Sequence, residues 1–137
     1  MGLFGLVVAG VLLSGGYLAF GDLLFGQRAA TSGGAISVQV SMAGFTPREI
    51  HVRAGQAVTL DWWTTDAPMH LDGGVHTMVN AALGLNGQLP GASGTGESRR
   101  LVHFTAPGKP GTYDIVCETC CGGAANPAMH GTIVVDA

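Results

Sequence analysis

At 137 residues the chain supports one domain plus an appendage, and with 11 % charged and 47 % hydrophobic side chains it is poor in charge for a purely soluble domain. The formal net charge is −3, and from residue 35 onward five basic side chains face eight acidic ones. That excludes a nucleic-acid footprint, which needs a basic face. No nucleophile elbow, P-loop, dinucleotide fingerprint or tightly spaced carboxylate pair occurs, so the sequence predicts no catalysis by this chain alone.

In chain order, Gly2 to Gly21 contain no charged side chain, and the first is Asp22. Roughly 20 apolar residues cross a bilayer core, so Leu3 to Phe20 or Phe25 can span, and residues 1–27 read as a single-pass anchor. A cleaved signal peptide is the rival. Ala30-Thr31-Ser32 resembles a weak cleavage site, but a signal peptide carries a basic n-region, and no Lys or Arg precedes Arg28. Residues 28–34, ending in Thr31-Ser32-Gly33-Gly34, read as a flexible linker, and residues 35–137 as the folded domain.

Ile36, Val38 and Val40 alternate with polar or small residues and predict a first strand. Gly44-Phe45-Thr46-Pro47-Arg48 reads as a turn, Glu49 to Arg53 as a second strand, and Ala57 to Thr64 as a third. In the third, Val58, Leu60 and Trp62 share the core face and Trp63 takes the other, half-exposed one, where an electron-entry role is the rival reading. From Thr65 to Arg99 the chain is rich in Gly, Asp, Asn and Ala and reads as a long functional loop holding His70 and His76. Leu101–Thr105, Thr112–Cys117 and Thr132–Val135 complete the strands. Short strands joined by Gly/Pro turns, with no convincing helix, predict an all-β sandwich or barrel.

All three cysteines, Cys117, Cys120 and Cys121, lie in one loop that ends at Met129-His130. Soft sulfur ligands beside imidazole are what copper prefers, and thiolates also suit zinc and iron–sulfur clusters. Cys117 closes a strand, Cys121 lies four residues later where Gly122 and Gly123 let the loop bend back, and Met129 stands just before the last strand. Two thiolates and a thioether can thus converge from one loop, and a neighbouring strand end must supply a fourth group, for which His76 is best placed. Plainer readings stand beside this one: a structural disulfide of Cys117 with Cys120 or Cys121, or zinc on Cys117-x2-Cys120, although no second Cys pair or His-x3-His accompanies it. His51 and His103 read as solvent-facing strand residues, Met42, Met69 and Met78 as packing residues, and Trp62 as core.

The chain resembles the cupredoxins, most of all the CuA domain of cytochrome c oxidase subunit II. The resemblance covers about residues 36–136. It rests on His76 to Asn86 followed by Leu89-Pro90-Gly91, on Pro110-Gly111-Thr112-Tyr113 leading into Cys117, and on Cys117-x3-Cys121-Gly122 with Met129-x-Gly131-x-Ile133. It implies a cupredoxin-like Greek-key β-sandwich preceded by one N-terminal transmembrane helix. Its implied ligands are His76, Cys117, Cys121 and Met129, binding copper as one or two ions, with the cysteines as bridges.

The family pattern, Cys-x-Glu-x-Cys-Gly-x-x-His-x-x-Met, is not fully met. The second histidine falls on Ala125 or, allowing one inserted residue, on Asn126; Glu118 is one place early, and Cys120 is an additional thiol. His130, His70, Cys120, Asn126 and the Glu118 backbone carbonyl are therefore additional candidate ligands. The implied role is that of an electron-transfer subunit of a respiratory haem-copper oxidase. It would take electrons from a cytochrome c or a small copper protein, pass them to haem-bearing membrane subunits, and present its domain on the periplasmic or extracellular side of the cell membrane. The missing histidine keeps two alternatives open: a periplasmic copper chaperone or resistance protein, and a structural oxidase subunit that has lost its copper.

Overall fold

A computed structural model describes residues 34–69 and 73–137. The expected anchor, nearly all of the linker, and His70 lie outside the described residues. Among the described residues no helix is long and apolar enough to cross a membrane.

Among the described residues nine strands form two sheets: β1 (Ile36–Ser41), β2 (Gly44–Thr46), β3 (Glu49–Arg53), β4 (Ala57–Thr64), β5 (His76–Asn80), β6 (Leu85–Leu89), β7 (Ser98–Thr105), β8 (Gly111–Val116) and β9 (His130–Asp136). One sheet has the order β2-β1-β4-β7, the other β3-β9-β8-β5-β6. Two pairings are parallel, β1 with β4 and β3 with β9, and the rest are antiparallel.

The period-two pattern sets the inner faces. Val38 and Val40 of β1, Val58, Leu60 and Trp62 of β4, Ile50 and Val52 of β3, Ile115 of β8, and Ile133 and Val135 of β9 are all buried in one core. Burial of such side chains stabilises by about 1.5–3 kcal/mol each. Their alternate neighbours stand outward, so one residue of slip would turn the core faces into water. The all-β sandwich expected from the sequence is therefore the observed fold, with Trp62 in the core and Trp63 half-exposed.

Three expectations need correction. The stretch 65–99 is not one loop, because it contains β5, β6 and the start of β7. In β5, His76, Thr77 and Met78 are buried in succession, so no polar–apolar alternation marks the strand. In β6, Leu85 and Leu89 are buried at the ends while Asn86, Gly87 and Gln88 stand between them. The supposed turn at Gly44 contains β2, which pairs Phe45 with Val40. Gly44 adopts φ +103° with its Cα against the Ala128 carbonyl, where an added Cβ would lie 2.0 Å from the oxygen. Only glycine fits there. β2 is thereby fastened to the loop that carries the cysteines. Among the methionines, Met78 packs in the core as expected, but Met42 and Met69 are solvent-exposed rather than packed.

Candidate metal centre

Cys117 directly follows β8, whose inward face carries Ile115, and its side chain is fully buried. His76 opens β5, the next strand of the same sheet, and is also fully buried. The pairing of β5 with β8 through Val79 and Val116 brings the two side chains together, with Cys117 Sγ 3.7 Å from His76 Nδ1. His76 thus belongs to a strand end, and not to a loop.

Three bonds lock this junction. The Thr77 N–H donates to Cys117 Sγ at 3.4 Å, the Glu118 N–H donates to Thr77 Oγ1 at 2.7 Å, and the Thr119 hydroxyl donates to the Val75 carbonyl at 2.8 Å. The far side of the imidazole is held as well, since His76 Nε2 lies 3.0 Å from Asp66 Oδ2. The same carboxylate oxygen accepts the Met42 N–H at 2.9 Å, and the Asp66 backbone carbonyl accepts the Ala92 N–H at 2.7 Å. Asp66 therefore fixes the ring from outside while Nδ1 points at sulfur. A carboxylate behind a histidine sets its tautomer and raises its basicity, as it does behind metal-ligating histidines.

The electrostatics of the pair follow from that cage. Burial pushes the Cys117 thiol up, but hydrogen bonds from His76, the Thr77 N–H and the Cys120 N–H outweigh it and bring the pKa down to about 7. Burial likewise disfavours a charged His76, and Cys117 and Asp66 reverse that and raise its pKa. The site favours a thiolate, the form that binds metal.

The remaining candidates are placed differently. Met129 is fully buried at the end of a 3-10 turn (Pro127–Met129), and its carbonyl accepts the Cys117 N–H at 2.9 Å, so its backbone is adjacent to the cysteine. Cys121 is partly exposed and its Sγ lies 2.8 Å from that of Cys120, which is buried. Asn126 is committed to structure. Its side chain caps the 3-10 turn by accepting the Ala128 N–H at 3.0 Å and donates to the Cys121 carbonyl at 2.8 Å. His130 is committed too, with Nδ1 2.7 Å from Asp114 Oδ2 and Nε2 2.9 Å from the Ala124 carbonyl. The Glu118 carbonyl sits against Gly123, where a Cβ would lie 2.5 Å away. Among the described residues no three His, Cys, Asp or Glu side chains converge on one point.

His51 and His103 lie on outer faces as expected, His51 between Glu49 and Asp136 and His103 beside Thr59. Asp66, Thr77 and Arg48 were not evident as site residues from the sequence. Arg48 donates to the carbonyls of Pro127 and His130 and so pins the end of the cysteine loop from β3's approach. No local motif announces these three, because each acts on a segment remote in the chain.

No family model matches the chain, and no curated protein matches it. Solved structures do. A copper-binding protein solved in its apo form by NMR is 21 % identical, with 82 % of this chain and 98 % of that one aligned at a TM-score of 0.52. Auracyanin A, a "blue" copper protein from the green thermophilic photosynthetic bacterium Chloroflexus aurantiacus, is 26 % identical over 75 % of this chain and 98 % of its own, at a TM-score of 0.49. A copper-containing nitrite reductase from Thermus scotoductus is 19 % identical, covering 80 % of this chain and 25 % of that one, at a TM-score of 0.45. The first of these shows that the chain shares the β-sandwich fold of that copper-binding protein.

Proposed function

We propose that this chain is a copper-binding, cupredoxin-type electron-transfer domain whose site is built on His76 and Cys117, with Met129 as the thioether. The observation that carries this reading is the fully buried pair at 3.7 Å, with Nδ1 facing Sγ and Asp66 holding the opposite ring nitrogen. Thiolate, imidazole and thioether together suit copper, whose two oxidation states supply one-electron chemistry. The chain's own contribution is rigidity. The Thr77, Thr119 and Asp66 bonds hold the donors in place whether or not charge changes between them.

The donor set favours one ion over two. A bridging role would require the Cys121 thiol to turn from Cys120 toward Cys117, and Ala125 and Asn126 stand where the binuclear pattern has its second histidine. The wider setting in this proposal is the one implied by resemblance: an anchor over 1–27, an electron donor such as a cytochrome c or small copper protein, and haem-bearing membrane subunits as acceptor. A second reading, copper handling without rapid electron transfer, is favoured by the same missing imidazole.

The test is copper loading followed by absorption and EPR spectroscopy. Thiolate-to-copper bands with a mononuclear hyperfine pattern are expected, and Cys117→Ser should abolish them. Loaded protein without such bands would refute the reading, and a mixed-valence pattern would replace one ion by two. Slow, incomplete exchange of electrons with a cytochrome c, at full copper occupancy, would select copper handling.

A further inference from the structure

The Cys120 N–H is bonded to Cys117, but the Cys120 and Cys121 thiols face each other. Cys120 Sγ and Cys121 Sγ stand 2.8 Å apart, well inside ordinary sulfur–sulfur contact. The backbone is shaped to hold them so. Cys121 has φ +51°, the only left-handed non-glycine residue among those described, and Gly122 and Gly123 continue in the same region at +96° and +59°. A left-handed conformation costs a non-glycine residue of this kind free energy that its surroundings must supply. Here the Gly123 N–H donates to the Cys120 carbonyl at 2.8 Å and Asn126 Nδ2 donates to the Cys121 carbonyl at 2.8 Å, so both carbonyls of the pair are tied within the loop. Cys117, in contrast, points at His76 and accepts the Thr77 N–H.

We propose that Cys120 and Cys121 form a vicinal dithiol–disulfide couple, a thiol-exchange site distinct from the metal-ligand pair, whose oxidant is a small disulfide such as oxidised glutathione. Cys121 is the partly exposed sulfur and Cys120 the buried one, which assigns their roles. The Cys121 thiolate attacks the disulfide, forming a mixed disulfide and releasing one thiolate. The Cys120 sulfur, after giving up its proton to solvent, then attacks Cys121 Sγ and expels the second thiolate. Two thiols are oxidised to one disulfide, two protons leave, and the glutathione disulfide takes up the two electrons as two thiols. Adjacent Cα atoms are about 3.8 Å apart across a trans peptide, closer than the roughly 4.4–6.8 Å usual for bridged cysteines. The product is accordingly easily reduced, and two reduced glutathiones reverse the two exchange steps, returning both thiols and one glutathione disulfide. When closed it removes Cys121 as a thiolate donor and leaves Cys117 untouched.

The experiment uses the full-length, metal-free chain, so its outcome does not depend on the copper reading. The protein is equilibrated with glutathione buffers from fully reduced to fully oxidised, denatured in acid, alkylated with N-ethylmaleimide and mapped by mass spectrometry. Three adducts at the reducing end should give way to one adduct on Cys117, with loss of two hydrogens across Cys120–Cys121. Three adducts throughout, or a bridge that includes Cys117, would overturn the proposal. Cys120→Ser removes the resolving sulfur and should trap one glutathione on Cys121. A trapped glutathione on Cys117 in that variant would likewise overturn it, and Cys117→Ser should leave the couple intact.

Discussion

His76 is held between two groups at once: Nε2 lies 3.0 Å from Asp66 Oδ2 and Nδ1 lies 3.7 Å from Cys117 Sγ. With Nε2 engaged by the carboxylate, Nδ1 is the ring nitrogen left to face Cys117 Sγ. Asp66→Asn keeps the volume and removes the charge, so copper affinity should fall roughly 10–100-fold, the usual cost of losing a partner behind a metal-ligating histidine. Nitrogen NMR shifts of the metal-free protein should show the Nε2–H tautomer in the parent and a mixture in the variant. An unchanged tautomer would remove Asp66 from this role.

Thr77 ties β5 to the cysteine loop through both its backbone and its hydroxyl. Thr77→Val preserves the N–H donated to Cys117 and deletes the acceptor for the Glu118 N–H. A loss of about 1–2 kcal/mol is expected for stranding a partly buried donor. Urea unfolding checks the magnitude, and faster exchange of the Glu118 amide locates it.

Gly44 gives a steric prediction. An alanine there would place its Cβ 2.0 Å from the Ala128 carbonyl oxygen at a φ of +103°. Overpacking and a disfavoured backbone each cost about 1–3 kcal/mol, so Gly44→Ala should destabilise by at least about 2 kcal/mol. The displaced turn ends in Met129, and the copper spectrum of any folded variant should shift accordingly.

His51 sets a pH dependence. Hydrogen bonds to Glu49 and to Asp136, with their charges, raise its pKa above 6.5. A raised histidine stabilises fully below its unfolded pKa of about 6.5. That contribution is lost as pH rises through the folded value. The pair is substantially exposed, so the effect is at most about 1 kcal/mol. The difference in urea midpoint between parent and His51→Gln should be largest near pH 5.5 and vanish above pH 8 (approximate settings chosen to bracket the reference pKa).

His130 tests the ligand assignment. Both ring nitrogens are engaged, one by Asp114 and one by the Ala124 carbonyl. His130→Gln should leave the copper-to-protein ratio unchanged while loosening the loop. Loss of copper without loss of folding would make His130 a ligand.

How much of this was legible in the sequence depends on where each interaction closes. Alternation exposed the strands at 36–40, 49–53 and 57–64, because each has one wet face. It could not expose β5, where His76, Thr77 and Met78 are all buried, nor β6, whose centre is polar. The proximity of His76 to Cys117 was expected from spacing and resemblance, and the structure places them together. The tie from Asp66 to His76 was invisible, since neither residue sits in a pattern that requires the other. The adjacency of Cys120 and Cys121 was plain, but the turning of their thiols toward each other depends on a left-handed Cys121 that no local signal marked.

The parallel pairing of β3 with β9 joins Glu49–Arg53 to Thr132–Asp136, segments about eighty positions apart in the chain. β9 also lies against β8, whose end presents Cys117. Contacts so remote are slow to form, because a long loop must close before they reward it. The frame around the cysteine is thus completed only after the final strand has been synthesised and docked. Under the proposed copper reading, an ion arriving before β9 has docked would meet an unfinished cradle.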